Sequence, residues 1–541
     1  MMTKKNITLF VFLLINLTFY GQSIIRINPD QQSAELRMPW KNCIGVGRAY
    51  DLTRADLLEH LKYIQENIGY KYCRFHAIFD DDMRVVTRSA DGIISYNWHQ
   101  IDQVYDALLK IGLKPFVELN PMPNALASGT TLMFNYKMNV TPPKSYDEWG
   151  NLVYAFTSHL VDRYGIDEVR KWYFEVWNEP NLLGFWTGTK DEYWKLYASS
   201  AFALKKVDKG LRIGGPATSK ANWVADIIDY CKANQVPLDF VSTHLYPQDE
   251  MVTYPDRQSP HKPGDFFQNT FHDVQKTVRA SAMPNLEIHW TEWNTLAAKN
   301  AKEVSWTKNV NVDNALAASL IVYNCVALDT VCNSMSYWVA SDVFAETGIP
   351  NSPFSCTYGL VTIHGIPKAS YNAFYFLNKM KGNVLNATLP VGNPSGYGAL
   401  ATKDGKTLRI LMWNYQPLGV VNQGTWTGNL QIPSVFDTIP LCVEATIKPG
   451  SGSPWETWQV MGSPINITKT QEQLLRVAAM PEYKSYSVKK QNGVLIVPFG
   501  LEPGDVKYFE ISNTSPSFKS TGVSLEDIAR WEKIMGDKSR K

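Results

Sequence analysis

Short apolar segments alternate with longer amphipathic segments between about residues 40 and 380. The short segments end at polar or aromatic residues and are typical of buried strands, whereas the longer ones repeat apolar residues every ~3.6 positions, as helices do. The predicted strands are Cys43–Val46, Tyr72–His76, Lys114–Leu119, Tyr173–Asn178, Arg212–Gly214, Phe240–His244, Glu287–Trp293 and Ser334–Trp338. The predicted helices are Arg54–Ile68, Asp102–Ile111, Tyr146–Tyr164, Lys190–Val207, Trp223–Asn234, Phe271–Ser281, Asn314–Asp329 and Ala369–Lys379. Eight such units predict an α/β fold, a (β/α)8 TIM barrel, over residues 40–380.

Local signals support the helix boundaries. Three predicted helices begin at a hydroxyl residue followed three positions later by an acid, which is the capping-box pattern: Thr53–Asp56, Ser145–Glu148 and Thr189–Glu192. An open doubly wound sheet is the alternative to a barrel. It usually opens with a glycine-rich dinucleotide fingerprint, and the stretch Gly45-Val46-Gly47 lacks the third glycine.

The pattern changes after about residue 381. Short β-rich segments are separated there by turn signals, which predicts an all-β sandwich as an accessory domain over residues 381–513. Residues 23–39 form an N-terminal segment that is compatible with a further strand of that sandwich. Residues 514–541 form a C-terminal tail, in which Leu525–Met535 is predicted to be an amphipathic helix.

The first 22 residues have the pattern of a signal peptide. Lys4 and Lys5 precede an almost uninterrupted apolar run from Ile7 to Tyr20. This run is too short for a membrane span, and no later stretch reaches the required length of about 18 apolar residues. We therefore expect a secreted or periplasmic protein without a membrane span. Whether it forms an oligomer is open.

Composition and charge exclude several classes of function. The net charge of +2 gives no field that would attract nucleic acid. The seven cysteines contain no CxxC pair, so buried free thiols are favoured over a zinc or redox site, with one disulfide as the alternative. The nine histidines show no HExxH spacing, and no glycine-rich phosphate loop precedes a helix. We expect no metal and no cofactor.

Two carboxylates lie at the ends of predicted strands. Strand 4 runs into Asn178-Glu179-Pro180, and strand 7 runs through Thr291-Glu292-Trp293. Active sites of barrels form at these strand ends, and strands 4 and 7 lie on opposite sides of the ring. A glycosidase needs two acids, one to protonate the departing oxygen and one to attack or assist at the anomeric carbon. The pair therefore predicts a carbohydrate as the substrate.

These motifs resemble glycoside hydrolase family 39, a member of the barrel clan with Asn-Glu on strand 4. The resemblance covers most of the chain after the signal peptide. It rests on the following stretches: Val176–Asn181, Thr291–Asn294, Tyr72–His76, Lys114–Leu119, Asp239–Pro247, Tyr337-Trp338, Asp342–Phe344 and Leu411–Tyr415. It implies a retaining, β-xylosidase-like O-glycosyl hydrolase.

The resemblance also implies roles for individual residues. Glu179 would be the general acid/base and Glu292 the nucleophile, kept ionised by a nearby cation. The implied substrate-binding or orienting residues are Asn178, His76, Arg74, His244, Tyr246, Trp338 and Glu346. Several have a structural alternative: Arg74 pairs with an acid such as Glu118, His244 is a hydrogen-bonded core histidine, and Trp338 fills the core. His289, inside strand 7, is expected to be structural.

The sequence departs from the family pattern after strand 8. Paired acids are typical there, but Ala345 precedes Glu346, and Phe354–Gly359 replaces a His-Gly-Gly-Phe-Gly stretch. An arginine suited to a uronic acid is missing from this region, which disfavours an iduronidase-like specificity. We expect exo action on a terminal xylose or related sugar of plant or algal glycans. The alternatives are an endo-acting glycanase of the same clan and a catalytically silent carbohydrate-binding protein.

Overall fold

The structure is a computed structural model of the 541-residue chain. It describes residues 23–254, 260–262, 264–392, 396–420 and 424–513, together with Glu526, 529–531 and Lys533. The predicted signal peptide lies outside the described residues, as does most of the predicted C-terminal helix. In the described part of the chain no helix combines the length and the apolar character needed to cross a membrane.

Eight parallel strands close into a barrel. In chain order they are β2 (Cys43–Arg48), β3 (Tyr72–His76), β6 (Lys114–Leu119), β9 (Tyr173–Val176), β10 (Arg212–Thr218), β11 (Phe240–His244), β12 (Glu287–Trp293) and β13 (Ser334–Tyr337). Strand β1 (Ser23–Glu35) precedes them in the chain, and short hairpins lie in the connections between them. The hairpin strands are β4 (Val86–Arg88), β5 (Ile94–Tyr96), β7 (Leu132–Met133) and β8 (Met138–Asn139). Strand β13 pairs with β2, so the ring is complete and the predicted barrel is confirmed.

Within the described residues, ten α-helices belong to the barrel and its loops. They are α1 (Ala55–Asn67), α2 (His99–Ile111), α3 (Tyr146–Tyr164), α4 (Ile166–Val169), α5 (Lys190–Val207), α6 (Val224–Asn234), α7 (Asp249–Thr253), α8 (Phe266–Ala280), α9 (Leu316–Ala327) and α10 (Ala369–Lys379). Short 3-10 helices lie at Pro39–Lys41, Ala49–Thr53, Asp81–Met83, Ser219–Ala221, Ala301–Glu303 and Val310–Val312. The long helices cover the outside of the barrel, as the apolar period predicts.

Inward-facing positions of the barrel change from apolar to polar along each strand. Phe116 and Tyr173 pack with Cys43 and Phe240 in a lower layer of the interior. One pleat further along, on the same faces of β6 and β9, Glu118 and Glu175 are register partners and fully buried. The upper part of the barrel interior is therefore charged, which a merely structural core would avoid.

The second domain is built on a ten-stranded sheet that includes β1. Its other strands are β14 (Asn383–Thr388), β15 (Tyr397–Asp404), β16 (Thr407–Asn414), β17 (Trp426–Pro433), β18 (Leu441–Ile447), β19 (Glu482–Ser487), β20 (Lys489–Gln491), β21 (Val494–Leu501) and β22 (Val506–Ser512). Strand β1 lies between β14 and β17, so residues from both ends of the chain build this domain. The predicted accessory β-domain is confirmed.

Strand β16 joins the two domains because its faces alternate. Leu408, Ile410 and Met412 point into the core of the β-domain, while Leu411 and Trp413 belong to the core of the barrel. Helices α9 and α10 both contact this strand. The β-domain thus packs against α9 and α10, the last two helices of the barrel. These helices precede and follow β13 in the chain.

Local details differ from the predictions in three places. Thr53 does not cap α1: its hydroxyl bonds the Tyr50 carbonyl, and Arg54 is the residue before the helix. The capping box at Thr189 is complete, whereas at Ser145 only the bond from the Glu148 amide forms. Two helices inside the β-domain, α11 (Trp455–Val460) and α12 (Lys469–Ala478), were not predicted, although Thr468 and Gln471 form a capping box at α12. All seven cysteines are free thiols.

Candidate active site

The two predicted carboxylates meet at the carboxyl end of the barrel. Glu292 lies within β12, and Glu179 lies in the turn that follows β9. The turn is held by a bond of 2.8 Å from the Glu179 amide to the Ala217 carbonyl, with left-handed backbone at Trp177 and Glu179. A carboxylate oxygen of Glu179 and one of Glu292 lie within 4.8 Å of each other. Both side chains are buried but line the same cavity.

Arg74 is the centre of the charge network beneath this pair. Its guanidinium is fully buried and contacts Glu118 Oε2 at 2.5 Å, Glu175 Oε2 at 2.6 Å and Glu292 Oε1 at 2.8 Å. A further N–H donates to Asn178 Oδ1 at 3.0 Å. Arg74 thus pairs with a structural acid and with the proposed nucleophile at once, so both predicted partners are present.

Glu292 is held in its ionised form. Burial raises the pKa of its carboxyl, but the positive charges of His244 and Arg74 outweigh burial and bring the pKa to about 2. His76 and a hydrogen bond of 2.7 Å from the Tyr246 hydroxyl act in the same direction. The expected orientation of Glu292 by Tyr246 is therefore seen in the geometry. An ionised carboxylate is what nucleophilic attack requires.

His244 connects Glu179 to the interior of the barrel. The Thr291 hydroxyl donates to Glu175 Oε1 at 2.8 Å, so it accepts from His244 Nε2–H at 3.1 Å. The other ring nitrogen, Nδ1, therefore faces Glu179 Oε1, at 3.0 Å. The contact fixes the position of the Glu179 carboxyl. His244 is fully buried beneath the cavity and does not line it.

His76 and Glu346 form the opposite side of the site. Burial alone would lower the pKa of His76, but Glu118, whose two oxygens lie at 2.8 and 2.9 Å from Nδ1, raises it to about 10. His76 is therefore a cation, and its Nε2 lies 3.5 Å from Glu346 and 3.6 Å from Glu292. Burial raises the pKa of Glu346 to about 7, against the opposing effect of His76.

Asn178 and Trp338 complete the predicted set. The Oδ1 of Asn178 accepts from Arg74, which turns its amide nitrogen away from the guanidinium, and the side chain lines the cavity. Trp338 packs on His76 with ring centroids 4.5 Å apart and also lines the cavity. A Cβ at Gly45 would lie 2.5 Å from Trp338 Cε3, so the glycine makes room for the indole.

The cavity has a volume of about 760 Å³. Seven of the nine predicted residues line it: His76, Asn178, Glu179, Tyr246, Glu292, Trp338 and Glu346. The other two, Arg74 and His244, lie directly beneath. His289 is buried lower in the barrel, bonded to Ser334 and Glu287, which agrees with a structural role.

The sequence pattern indicates Glu118 only as a structural partner of Arg74, and it does not identify Glu175 or the apolar rim as parts of the site. The acids carry a signal, because each is a charged residue at an inward position of a buried strand. The rim residues Leu182, Phe185 and Trp306 come from loops, where apolar residues have no period to read.

A buried ion triad positions the loop that carries Glu346. The Lys368 amine contacts Asp313 at 2.5 Å and Asp342 at 2.7 Å, and all three side chains are almost fully buried. Asp313 also accepts from the Cys356 amide and Asp342 from the Gly359 amide. The segment between β13 and α10 is thereby fixed at both ends relative to the barrel.

Glu179, His244 and Glu292 are close enough together to be considered as metal ligands. Their surroundings argue against a cation, because the guanidinium of Arg74 and the imidazolium of His76 already neutralise Glu292. The arrangement fits a pair of carboxylates that face one cavity without a metal better.

Comparisons with known proteins point to one family. The family model described as glycosyl hydrolases family 39 matches residues 23–495. A β-xylosidase of Caldicellulosiruptor saccharolyticus is 36% identical over 481 residues, covering 87% of this chain and 94% of that protein. A β-xylosidase of Geobacillus stearothermophilus is 33% identical over 512 residues, covering 92% and 97%. The crystal structure of a monomeric β-xylosidase from Caulobacter crescentus CB15 superposes with a TM-score of 0.80 at 31% identity, over 91% of this chain and 100% of that one.

Replacing Arg74 tests the charge network. Arg74→Met leaves three buried carboxylates without their cation, so the free energy of unfolding in urea should fall by about 3–5 kcal/mol at pH 8. The pKa values of these carboxylates rise in the folded variant, which then binds protons more tightly than the unfolded chain. Part of the loss should therefore be regained as the pH falls from 8 to 5.

The matched control is Arg170→Met, which removes an exposed pair with Asp208. It should change the stability little at either pH. Equal losses for the two variants, or a loss for Arg74→Met that grows toward pH 5, would contradict the network described here.

Proposed function

The chain belongs to glycosyl hydrolases family 39 and is therefore a glycosidase; from this premise we propose that it is a retaining, exo-acting enzyme that releases a terminal xylose or related sugar. Glu179 acts as general acid/base and Glu292 as nucleophile. The observation that carries the proposal is the pair of buried carboxylates with oxygens within 4.8 Å over one cavity. Retaining enzymes keep their carboxyl groups about 5–5.5 Å apart, whereas inverting enzymes need about 6.5–9.5 Å to admit water.

The first half of the reaction forms a covalent intermediate. The ionised Glu292 attacks the anomeric carbon while Glu179 gives its proton to the glycosidic oxygen. The bond between that carbon and the oxygen breaks, and the leaving group departs as an alcohol. Arg74 and Tyr246 each bind one oxygen of Glu292, which supports a fixed orientation for the attack.

The second half returns the enzyme to its starting state. Glu179, now a carboxylate, takes a proton from a water molecule that attacks the same carbon from the opposite side. The bond to Glu292 breaks, and the sugar leaves with its original anomeric configuration. His244 Nδ1, at 3.0 Å from Glu179, supports both steps because it can hold the carboxyl in place as its charge changes.

Exo action is supported by a contact between two loops that line the cavity. The Asn135 amide donates to the Glu346 carbonyl at 2.8 Å, which joins the loops after β6 and β13. Asn135 and Glu346 both line the cavity, and the Glu346 carboxylate lies 3.5 Å from His76. An endo-acting glycanase needs an open groove at this position, so a single terminal sugar fits better.

The identification of the sugar rests on similarity to known proteins. The two relatives described above are named β-xylosidases, and both are covered almost completely by this chain. Glu346 and His76 are suitable partners for the outer hydroxyls of a pentose, and Asn178 for the hydroxyl next to the anomeric carbon. Ala345 stands where an acid is typical of the family, so the panel of sugars below includes close relatives of xylose. Export from the cytoplasm remains part of the proposal, based on the sequence of the first 22 residues.

The roles of the two carboxylates can be separated by the leaving group. Glu179→Ala should lower kcat/KM for a benzyl glycoside by about 10²–10⁴ but affect a dinitrophenyl glycoside much less, since that leaving group needs little protonation. Glu292→Ala should abolish turnover of both substrates, because no covalent intermediate forms. Azide should restore turnover of the dinitrophenyl substrate in Glu179→Ala, by taking the place of water. A matched surface variant, Glu303→Gln, should behave like the wild type. Equal losses on both substrates in Glu179→Ala would refute its assignment.

Substrate class and stereochemistry are tested on the unmodified enzyme. Nitrophenyl xyloside, arabinoside and galactoside should be compared, and we expect the β-xyloside or its closest relative to be hydrolysed fastest. Proton NMR of the first product should show the anomer of the substrate. A ladder of oligosaccharides should shorten by one sugar at a time. Appearance of the opposite anomer, or release of internal fragments, would refute retention or exo action respectively.

Glu346 predicts a pH dependence of inhibitor binding. Its pKa of about 7 means that it becomes anionic as the pH rises through neutrality. A cationic iminosugar should therefore bind more tightly as the pH rises from 5.5 to 7.5, by up to about tenfold per pH unit from this group. Calorimetry on Glu346→Gln should show a shallower dependence than the wild type, and Glu303→Gln should match the wild type. Identical slopes for all three proteins would contradict the role of Glu346.

A further inference from the structure

The cavity has two chemically different ends. His76, Asn178 and Glu346 lie at one end with the catalytic carboxylates, and this is where the proposed function puts the sugar. The other end is lined mainly by Met133, Leu182, Phe185, Val252 and Trp306. Phe134 lies between the two ends, because its ring stacks on His76, with centroids 6.4 Å apart, and packs on Phe185. We infer that this second end binds an aromatic aglycone as the leaving group, in preference to another sugar. The inference rests on the proposed function and specifies the substrate on the side it leaves open.

The position of the acid/base identifies this end as the leaving-group side. Glu179 must reach the glycosidic oxygen, so the chain segment that carries it surrounds the departing group. Leu182 donates its amide to the Glu179 carbonyl at 2.9 Å, and Phe185 donates to the Leu182 carbonyl at 2.9 Å. Both apolar side chains therefore belong to the same turn as the acid. Of the residues that hold the sugar, Asn178 directly precedes the acid, whereas His76 ends β3 and Glu346 lies in the loop after β13.

Two apolar walls come from opposite parts of the ring. Phe185 packs edge-to-face on Phe134, with ring centroids 5.3 Å apart, and joins the loops after β9 and β6. Across the mouth, Trp306 packs edge-to-face on Tyr246 at 5.1 Å, and its carbonyl accepts the Tyr358 hydroxyl. Strands β6 and β9 lie three positions around the barrel from β11 and β12 respectively. The walls thus flank a slot whose floor is the catalytic pair.

Apolar side chains at the mouth of the cavity are exposed to solvent, which is unfavourable in free energy. Trp306 is 43% exposed and Val252 is 39% exposed, although each is fixed in a loop or short helix. Apolar surface that stays exposed beside a catalytic site is typical of a binding surface, because burial of each such side chain by a ligand is favourable. A planar aromatic group would cover both walls at once.

Apolar side chains outnumber polar ones at this end. Among the described lining residues, the polar side chains here are Ser219, Lys220, Thr307 and Tyr358, and the Tyr358 hydroxyl already donates to the Trp306 carbonyl. A bound pentose would bring several hydroxyls into the slot, and each buried hydroxyl without a partner costs free energy. An aromatic aglycone has no such requirement. Lys220 is suited to the phenolic or alcoholic oxygen that departs, since its charge stabilises a developing negative charge.

The test compares alcohol leaving groups. Methanol and 2-phenylethanol have nearly the same acidity, so that binding and not leaving-group chemistry decides between these two. For the sugar found active in the nitrophenyl panel, kcat/KM is measured for the methyl glycoside, the 2-phenylethyl glycoside and the disaccharide. The 2-phenylethyl glycoside should exceed both others by about tenfold or more, the gain expected for burying a phenyl ring. A disaccharide that is preferred over the 2-phenylethyl glycoside would overturn the inference.

The chain offers a matched pair of variants in adjacent positions. Leu182 lines the cavity, whereas Leu183 is 83% exposed and does not line it. Leu182→Ala should reduce the ratio of 2-phenylethyl to methyl glycoside hydrolysis about tenfold, and Leu183→Ala should leave that ratio as in the wild type. Trp306→Ala, a change at an exposed position in the other wall, should reduce the ratio in the same way. Ratios that are unchanged in both Leu182→Ala and Trp306→Ala would overturn the inference.

Failure of this inference is distinguishable from failure of the proposed function. A panel in which no nitrophenyl glycoside is hydrolysed by the purified enzyme would refute the proposed function and the inference with it. Hydrolysis of the panel without preference for the 2-phenylethyl glycoside would refute the aromatic aglycone alone. In that case the disaccharide result would identify a second sugar as the group bound between the two walls.

Discussion

The guanidinium of Arg74 is the interaction on which the active site depends. It is fully buried and joins β3 to β6, β9 and β12 through Glu118, Glu175 and Glu292. Burying four charges is costly, and such clusters often add little to stability compared with apolar packing. The value of Arg74 here is that it fixes the orientation of Glu292 and, together with His244, brings the pKa of that carboxyl to about 2. Part of the barrel core is thus charged, and its contacts keep the Glu292 carboxylate ionised and fixed in position.

The loops after β6 and β13 complete the active site that the barrel strands form. Lys368, buried between Asp313 and Asp342, ties the loop after β13 to the barrel, and the Asn135 amide ties the loop after β6 to the Glu346 carbonyl. Glu346 consequently faces His76 with little freedom, although it comes from a long irregular segment. The charged floor and the loop that closes over it are therefore separate structures, each stabilised by its own buried ion pairs.

Much of this could be predicted from the sequence, and the exceptions have physical reasons. Glu179 and Glu292 could be predicted because strand ends of a barrel converge, whatever the details of packing. Glu118 could be predicted only as a structural partner of Arg74, and Glu175 could not be predicted as a site residue, because a position within a strand, not at its end, does not indicate that a side chain supports the site. The cap predicted at Thr53 failed because a 3-10 turn takes up its hydroxyl first. Phe185 and Trp306 lie in loops, where only tertiary structure reveals which side chains face the cavity.

The contrast between the two ends of the cavity has a consequence for catalysis. Beneath the sugar, the ionised carboxylate of Glu292 forms part of the cavity floor, and the guanidinium of Arg74 lies behind it. The transition state of glycoside cleavage develops positive charge on the sugar ring, which such a floor stabilises. An apolar group in the second end would exclude water and lower the local dielectric constant, which strengthens that attraction. The apolar walls would then contribute to catalysis as well as to recognition. The leaving group that they bind also excludes water from the site in which the glycosidic bond breaks.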